Sequence, residues 1–132
     1  MKFAPTPPGI SESLALGLAE LGSVLAAYIF GSRARGTERP SSDVDIAVLL
    51  EPPADMQGVG AVLRVCQDTL GRDDVDVVVL NTAAPILAYE AVSGTRILAT
   101  ALTAVSAYES LVAREFEDEM ARLERASSYP SS

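Results

Sequence analysis

The sequence contains no histidine and no tryptophan, a single cysteine (Cys66) and a single lysine (Lys2). Each shortage excludes a class of chemistry. Without histidine there is no imidazole base, no His-built zinc site and no Ser-His-Asp or Cys-His nucleophile. One cysteine cannot form an intrachain disulfide, which fits a reducing, cytoplasmic setting. No apolar run approaches the roughly 20 residues that span a bilayer, so no membrane association is expected. The opening MKFAPTPPGI, with its prolines, does not read as a secretory signal. Positive charge is scarce too: 10 basic residues stand against 18 acidic ones, for a net charge of −8. Such a surface repels polyphosphate backbones at long range and argues against direct nucleic-acid binding. Against that scarcity, Arg33, Arg35 and Arg39 fall within seven residues of one another, the first sign of a site.

With 132 residues, 48% hydrophobic and 21% charged, the chain reads as one globular domain. Residues 1–10 read as a loose lead-in, 11–125 as the domain and 126–132 as a mobile tail. Ser11 is placed to cap a helix reaching about Gly22, with Leu14, Leu18, Leu21 and Leu25 on one stripe, Leu25 blurring the boundary with the strand that follows. Strands are expected at 24–30, 43–50, 74–81 and 96–100. Helices are expected at 55–70, stopped by Gly71, from Pro85 to Gly94, and from Thr103 to about Arg125. Alternating helices and strands predict an α/β sandwich. Only a dozen residues link the first two strands, which suits antiparallel pairing as well as parallel, so the sheet is expected to be mixed and flanked by helices.

The chemistry concentrates in three places. Side chains two apart on a strand share a face, so Asp43 and Asp45 project together while Val44, Ile46, Val48 and Leu50 point the other way. Two adjacent carboxylates repel unless a cation sits between them, and oxygen-only ligands select a hard divalent ion such as Mg²⁺. The second acidic strand repeats the pattern with Asp74 and Asp76 on one face, while Val75, Val77 and Val79 face away. Placed beside the first strand, Asp76 would complete a cluster able to hold two metals for phosphoryl or nucleotidyl transfer. Asp-x-Asp at a strand start also suits a solvated edge, since Asp favours turns. Gly31-Ser32 follows an apolar strand. It can form an anion site from backbone N–H groups and a hydroxyl, or an ordinary turn. There is no Gly-Lys-Ser/Thr, which excludes a P-loop.

Gly31-Ser32, then Asp43-x-Asp45, then an acidic residue in an apolar strand resembles the nucleotidyltransferase superfamily related to DNA polymerase β. The stretch GSRARGTERPSSDVDIAVLL closely resembles its minimal nucleotidyltransferase (MNT) branch. VDVVVLNTAAPIL, AYEAVSGTRIL and the Arg-x-Phe-Glu of residues 114–117 are similar to the MntA-type antitoxins of HEPN–MNT toxin–antitoxin pairs. Ala83-Ala84-Pro85 departs from the pattern without touching the catalytic set. The resemblance, over about residues 10–125, implies a single-domain polymerase β-like fold and an adenylyltransferase using ATP and Mg²⁺, two ions being expected. It implies that the partner is a HEPN RNase toxin that receives AMP on a tyrosine. Carried over, Asp43 and Asp45 would hold both metals, and Asp76 would hold the metal nearest the acceptor and assist its deprotonation. Gly31 and Ser32 would bind the triphosphate, with Arg33 and Arg35 near the phosphates.

Two other functions stay open on the sequence. A small-molecule nucleotidyltransferase of the aminoglycoside type shares the first motif but usually carries a further domain. An antitoxin acting by binding alone would not need the acidic triad. Elsewhere, Cys66 reads as a small core residue, and Tyr28, Tyr89 and Tyr108 as packing residues. The acidic run at 115–119 reads most simply as a solvated helix face, with docking of a basic partner as the alternative. Tyr129, in the tail, is the tyrosine freest for self-modification.

Overall fold

The computed structural model describes residues 8–31 and 44–128. Helix α1 (Pro8–Glu20) leads into β1 (Val24–Phe30), β2 (Val44–Leu50) and α2 (Met56–Leu70). Then come β3 (Val75–Val79), a 3₁₀ turn (Leu80–Thr82), α3 (Pro85–Val92), β4 (Thr95–Ala99) and α4 (Leu102–Ser128). The sheet order is β3-β2-β1-β4. β1 pairs antiparallel with both β2 and β4, and β2 pairs parallel with β3. The sheet is mixed, as the short link after β1 allows.

Two apolar layers enclose the sheet. On one face Leu14 and Leu18 of α1 and Val62 and Cys66 of α2 pack on Ile46 and Val48 of β2. On the other, Ala88 and Ala91 of α3 and Val105 and Val112 of α4 pack on Ala26, Tyr28 and Ala47. The valines and isoleucines alternating with Asp along β2 and β3 therefore commit one face of each strand to the α1/α2 layer, and leave the acidic residues facing the α3/α4 layer.

The ends of helices show what sequence signals decided. Asp55 caps α2 by accepting from Gly58 N at 2.9 Å, and Gly71 stops it in the left-handed region with φ 67°. Helix α1 begins at Pro8 rather than at a Ser11 cap. A proline lacks only an N–H that the first turn leaves unbonded in any case, so the proline that marked a lead-in is part of the helix. Helix α4 continues to Ser128, past the end expected at Arg125, because nothing in Ala126-Ser127-Ser128 interrupts it. Residues 129–132, with Tyr129, lie outside the described residues.

One polar contact ties the layer order together. Asn81, just past β3, donates from Nδ2 to Leu50 O at 2.8 Å and accepts from Leu50 N at 2.9 Å. The side chain thus replaces a strand residue and closes the far end of the β2–β3 pairing. Asn81→Ala would leave both Leu50 groups without that partner. We expect a loss of about 1–3 kcal/mol in unfolding free energy, read by urea denaturation; an unchanged midpoint would contradict this role.

Candidate active site

The N-terminal ends of β2 and β3, the C-terminal end of β1 and the start of β4 meet at one end of the sheet. In the β2–β3 ladder Asp45 lies opposite Asp76, one step beyond the Val44–Val75 pair. Neighbouring strands lie about 4.8 Å apart, so the two carboxylates stem from adjacent backbones on the same face. In the β1–β2 ladder Phe30 lies opposite Asp45, which brings Gly31 alongside the same carboxylate. Asp45 is half-buried and Asp76 exposed. Together with Gly31, Leu87 and Glu90 they line a cleft of about 550 Å³.

Gly31 is required by space and by conformation. Its φ is +92°, in the region that side chains rarely adopt. A Cβ there would overlap Oδ2 of Asp45 and stand 3.1 Å from its Cγ. Gly94 serves the next strand similarly: a Cβ would come within 2.8 Å of Phe30 Cβ, so only glycine lets the start of β4 lie this close to the end of β1. Glycine's role at 31 follows from the Gly-Ser signal, whereas in the sequence Gly94 marks only the end of a helix.

Of the residues expected to form the site, Gly31, Asp45 and Asp76 are brought together. Ser32, Arg33, Arg35 and Asp43 lie outside the described residues. Among the described residues no cluster of three metal-ligating side chains forms. Glu90 and Leu87, carried to the cleft by α3, carried no sequence signal beyond their place on a short helix.

The shifted titrations lie away from the cleft and point to structural roles. Burial pushes the Cys66 thiol up to about 11, and Cys66 is fully buried among the α2 contacts. Burial, then the hydrogen bond to Glu109, raises the Tyr28 hydroxyl well above its ordinary range. That hydroxyl donates to Glu109 Oε2 at 2.5 Å, and Arg96 donates to both oxygens of Glu109 at 3.0 and 3.1 Å. Tyr108 is pushed up to about 12, mainly by burial. None of the three is an activated nucleophile. Tyr28 is a packing residue that fastens β1 to α4, and Tyr89 stacks on Phe116 with ring centroids 3.9 Å apart. In the acidic run of α4, Glu119 is engaged by Arg122 at 2.6 and 3.1 Å on the helix surface.

A family model described as Polymerase beta, Nucleotidyltransferase matches residues 12–101, which include the whole sheet. The chain belongs to that family. Among solved structures, a chain of a toxin–antitoxin complex crystallised with AMP-PNP is 24% identical and superposes with a TM-score of 0.63, covering 87% of this chain and 90% of that one. A chain from the complex of a tri-AMPylated Shewanella oneidensis HEPN toxin with MNT antitoxin is 20% identical, with a TM-score of 0.66 and coverages of 89% and 93%. A chain of the MntA–HepT toxin–antitoxin complex is 21% identical, with a TM-score of 0.60 and coverages of 89% and 91%. These likenesses establish a polymerase β-like nucleotidyltransferase fold. A search of curated proteins found no significant match. Among the described residues no helix is long and apolar enough to cross a membrane.

The crowding at Gly31 is measurable. Gly22 also has a positive φ, +77°, but a Cβ there meets nothing within 4 Å. Gly31→Ala is expected to cost more in unfolding free energy than Gly22→Ala, by about 1–3 kcal/mol for forcing a contact into a packed site. Equal losses would show that the Asp45 side chain simply moves aside.

Proposed function

We propose that the chain is a Mg²⁺-dependent adenylyltransferase that transfers AMP from ATP to a tyrosine of a HEPN-type RNase toxin and so neutralises it. The observation that carries this reading is the register pair Asp45–Asp76 beside a glycine that makes room for the Asp45 carboxylate. The likeness in fold to chains of toxin–antitoxin complexes, one holding AMP-PNP and one an AMPylated toxin, supports the donor and the class of acceptor.

The residues fit a hard divalent cation. The donors on β2 and β3 are carboxylates, the chain has no histidine, and its one cysteine is buried in the opposite layer. Asp43, two residues before Asp45 in sequence, would supply the third carboxylate. When bound, Mg²⁺ neutralises the triphosphate and stabilises the charge that develops on attack.

The chain's own residues then divide the work. Asp43 and Asp45 hold the ions. Asp76, on the outer strand β3, takes the proton from the tyrosine hydroxyl, whose ordinary pKa near 10 leaves it a poor nucleophile at neutral pH. The phenolic oxygen bonds to the α-phosphorus as the bond from that phosphorus to the bridging oxygen breaks, and pyrophosphate leaves. The backbone at Gly31, with Ser32, holds the departing phosphates, and Arg33 and Arg35 offset their charge. The net charge of −8 favours a basic protein partner over a polynucleotide.

Mixing the chain with its partner toxin and ATP should raise the intact mass of the toxin by roughly 329 Da for each AMP transferred. Asp45→Ala should abolish the increase. A variant that neutralises the toxin as well as wild type, with no mass change, would replace this reading with inhibition by binding alone.

A further inference from the structure

Helix α4 outruns the sheet it covers. Thr100 N donates to Leu25 O at 2.9 Å, so the helix sets out from the far end of the sheet, beside the start of β1. Phe116 reaches the cleft end, where it lines one compartment with Gly31 and Thr95. Residues 117–128 continue past that end for about 18 Å, at 1.5 Å per residue. The apolar stripe continues with them. Val105 and Val112 are buried in the α3/α4 layer, and Phe116, Met120 and Leu123 follow Val112 at helical spacings. Met120 and Leu123 belong to neither core layer and keep 43% and 38% of their surface exposed. With Glu124 and Ser127 they line a groove of about 500 Å³.

Resting on the adenylyltransferase reading above, we infer that this overhang docks the acceptor protein, through an amphipathic helix whose apolar stripe is flanked by lysine or arginine. The borders of the groove set the charge of the partner. At about 100° per residue, Glu115 and Glu119 border the stripe on one side and Glu117 and Glu124 on the other, while Arg114 and Arg125 fall on the opposite face. Arg122 lies near the first border and is engaged by Glu119 at 2.6 Å. A second copy of this chain laid along the same stripe would set glutamates against glutamates, which repel. A helix with basic flanks would cover Met120 and Leu123 and offset those charges. The overhang stands at the open end of the cleft, on the side where α4 is tied to β1 and β4 through Tyr28, Arg96 and Glu109. Asp76 lies two strand spacings from the end of β1, roughly 10 Å. A folded protein held on the helix spans that gap, so a segment other than the docked one carries its tyrosine to Asp76.

The test titrates the full chain with the purified, unmodified toxin of the mass assay, by calorimetry without ATP, so that binding is read apart from transfer. Met120→Ala combined with Leu123→Ala should weaken binding roughly tenfold or more. Neither residue packs in the core and alanine favours helix, so the melting temperature of the chain alone should hold. Glu117→Lys combined with Glu124→Lys should weaken binding about two- to fivefold, and added salt should weaken wild-type binding in the same direction. Three results would overturn the assignment. One is an affinity unchanged by the alanine pair. Another is binding strengthened by the lysine pair or by salt. The third is a wild-type chain that sediments as a dimer and becomes monomeric with the alanine pair, which would make a second copy the occupant. The expected losses in binding, with no mass increase once ATP is added, would overturn the adenylyltransferase reading and uphold the docking surface. The salt dependence needs no variant, so a substitution that fails to fold does not remove the test.

Discussion

The parallel ladder between β2 and β3 sets Asp45 beside Asp76, and every feature of the cleft depends on that register. A slip of one residue along either strand would turn its carboxylate toward Leu14, Leu18 and Val62 and its valines toward the cleft. The register holds because both strands alternate. Val44, Ile46 and Val48 on β2, with Val75, Val77 and Val79 on β3, pack into the α1/α2 layer, while Ala47, Leu49 and Val78 pack into the α3/α4 layer. Asn81 then ties the far end of the pair to Leu50. Hydrophobic burial on one face thus places acidic groups together on the other, at no cost to the core.

β1 adds the second constraint. It runs antiparallel to β2, so its C-terminal end arrives where β2 begins, and Phe30 lies opposite Asp45. The residue that follows must turn away without striking the carboxylate, and only Gly31 at φ +92° does so. Gly31 of the Gly-Ser motif and Asp45 of the Asp-x-Asp motif are in space on the two sides of one strand pair. That explains why the short link between them suits antiparallel strands.

Much of this was legible in the sequence, for identifiable reasons. β1 and α2 are readable to within a residue, because an apolar run ending at Gly31 and an amphipathic stripe stopped by Gly71 leave little choice. The alternation in β2 and β3 revealed which face each Asp would take. The start of α1 was misread because proline signals a break in most contexts but is tolerated in a first helical turn. The neighbours of the carboxylates on α3, Leu87 and Glu90, were not legible at all. A short helix shows no periodicity that says which side chains will overhang the end of the sheet. The Tyr89–Phe116 stack depends similarly on how α3 crosses α4, a tertiary fact without a local signature.

The central claim is that Asp45 and Asp76 form one nucleotide–metal centre, and binding of Mg²⁺-ATP to the folded chain tests it most directly. A ligand that binds only the native state at a hundredfold excess over its Kd adds roughly 2.7 kcal/mol of stability. Thermal melts of wild type should therefore shift upward with Mg²⁺-ATP, and the shift should largely vanish in both Asp45→Asn and Asp76→Asn. Shifts of equal size in wild type and the two variants would contradict the account.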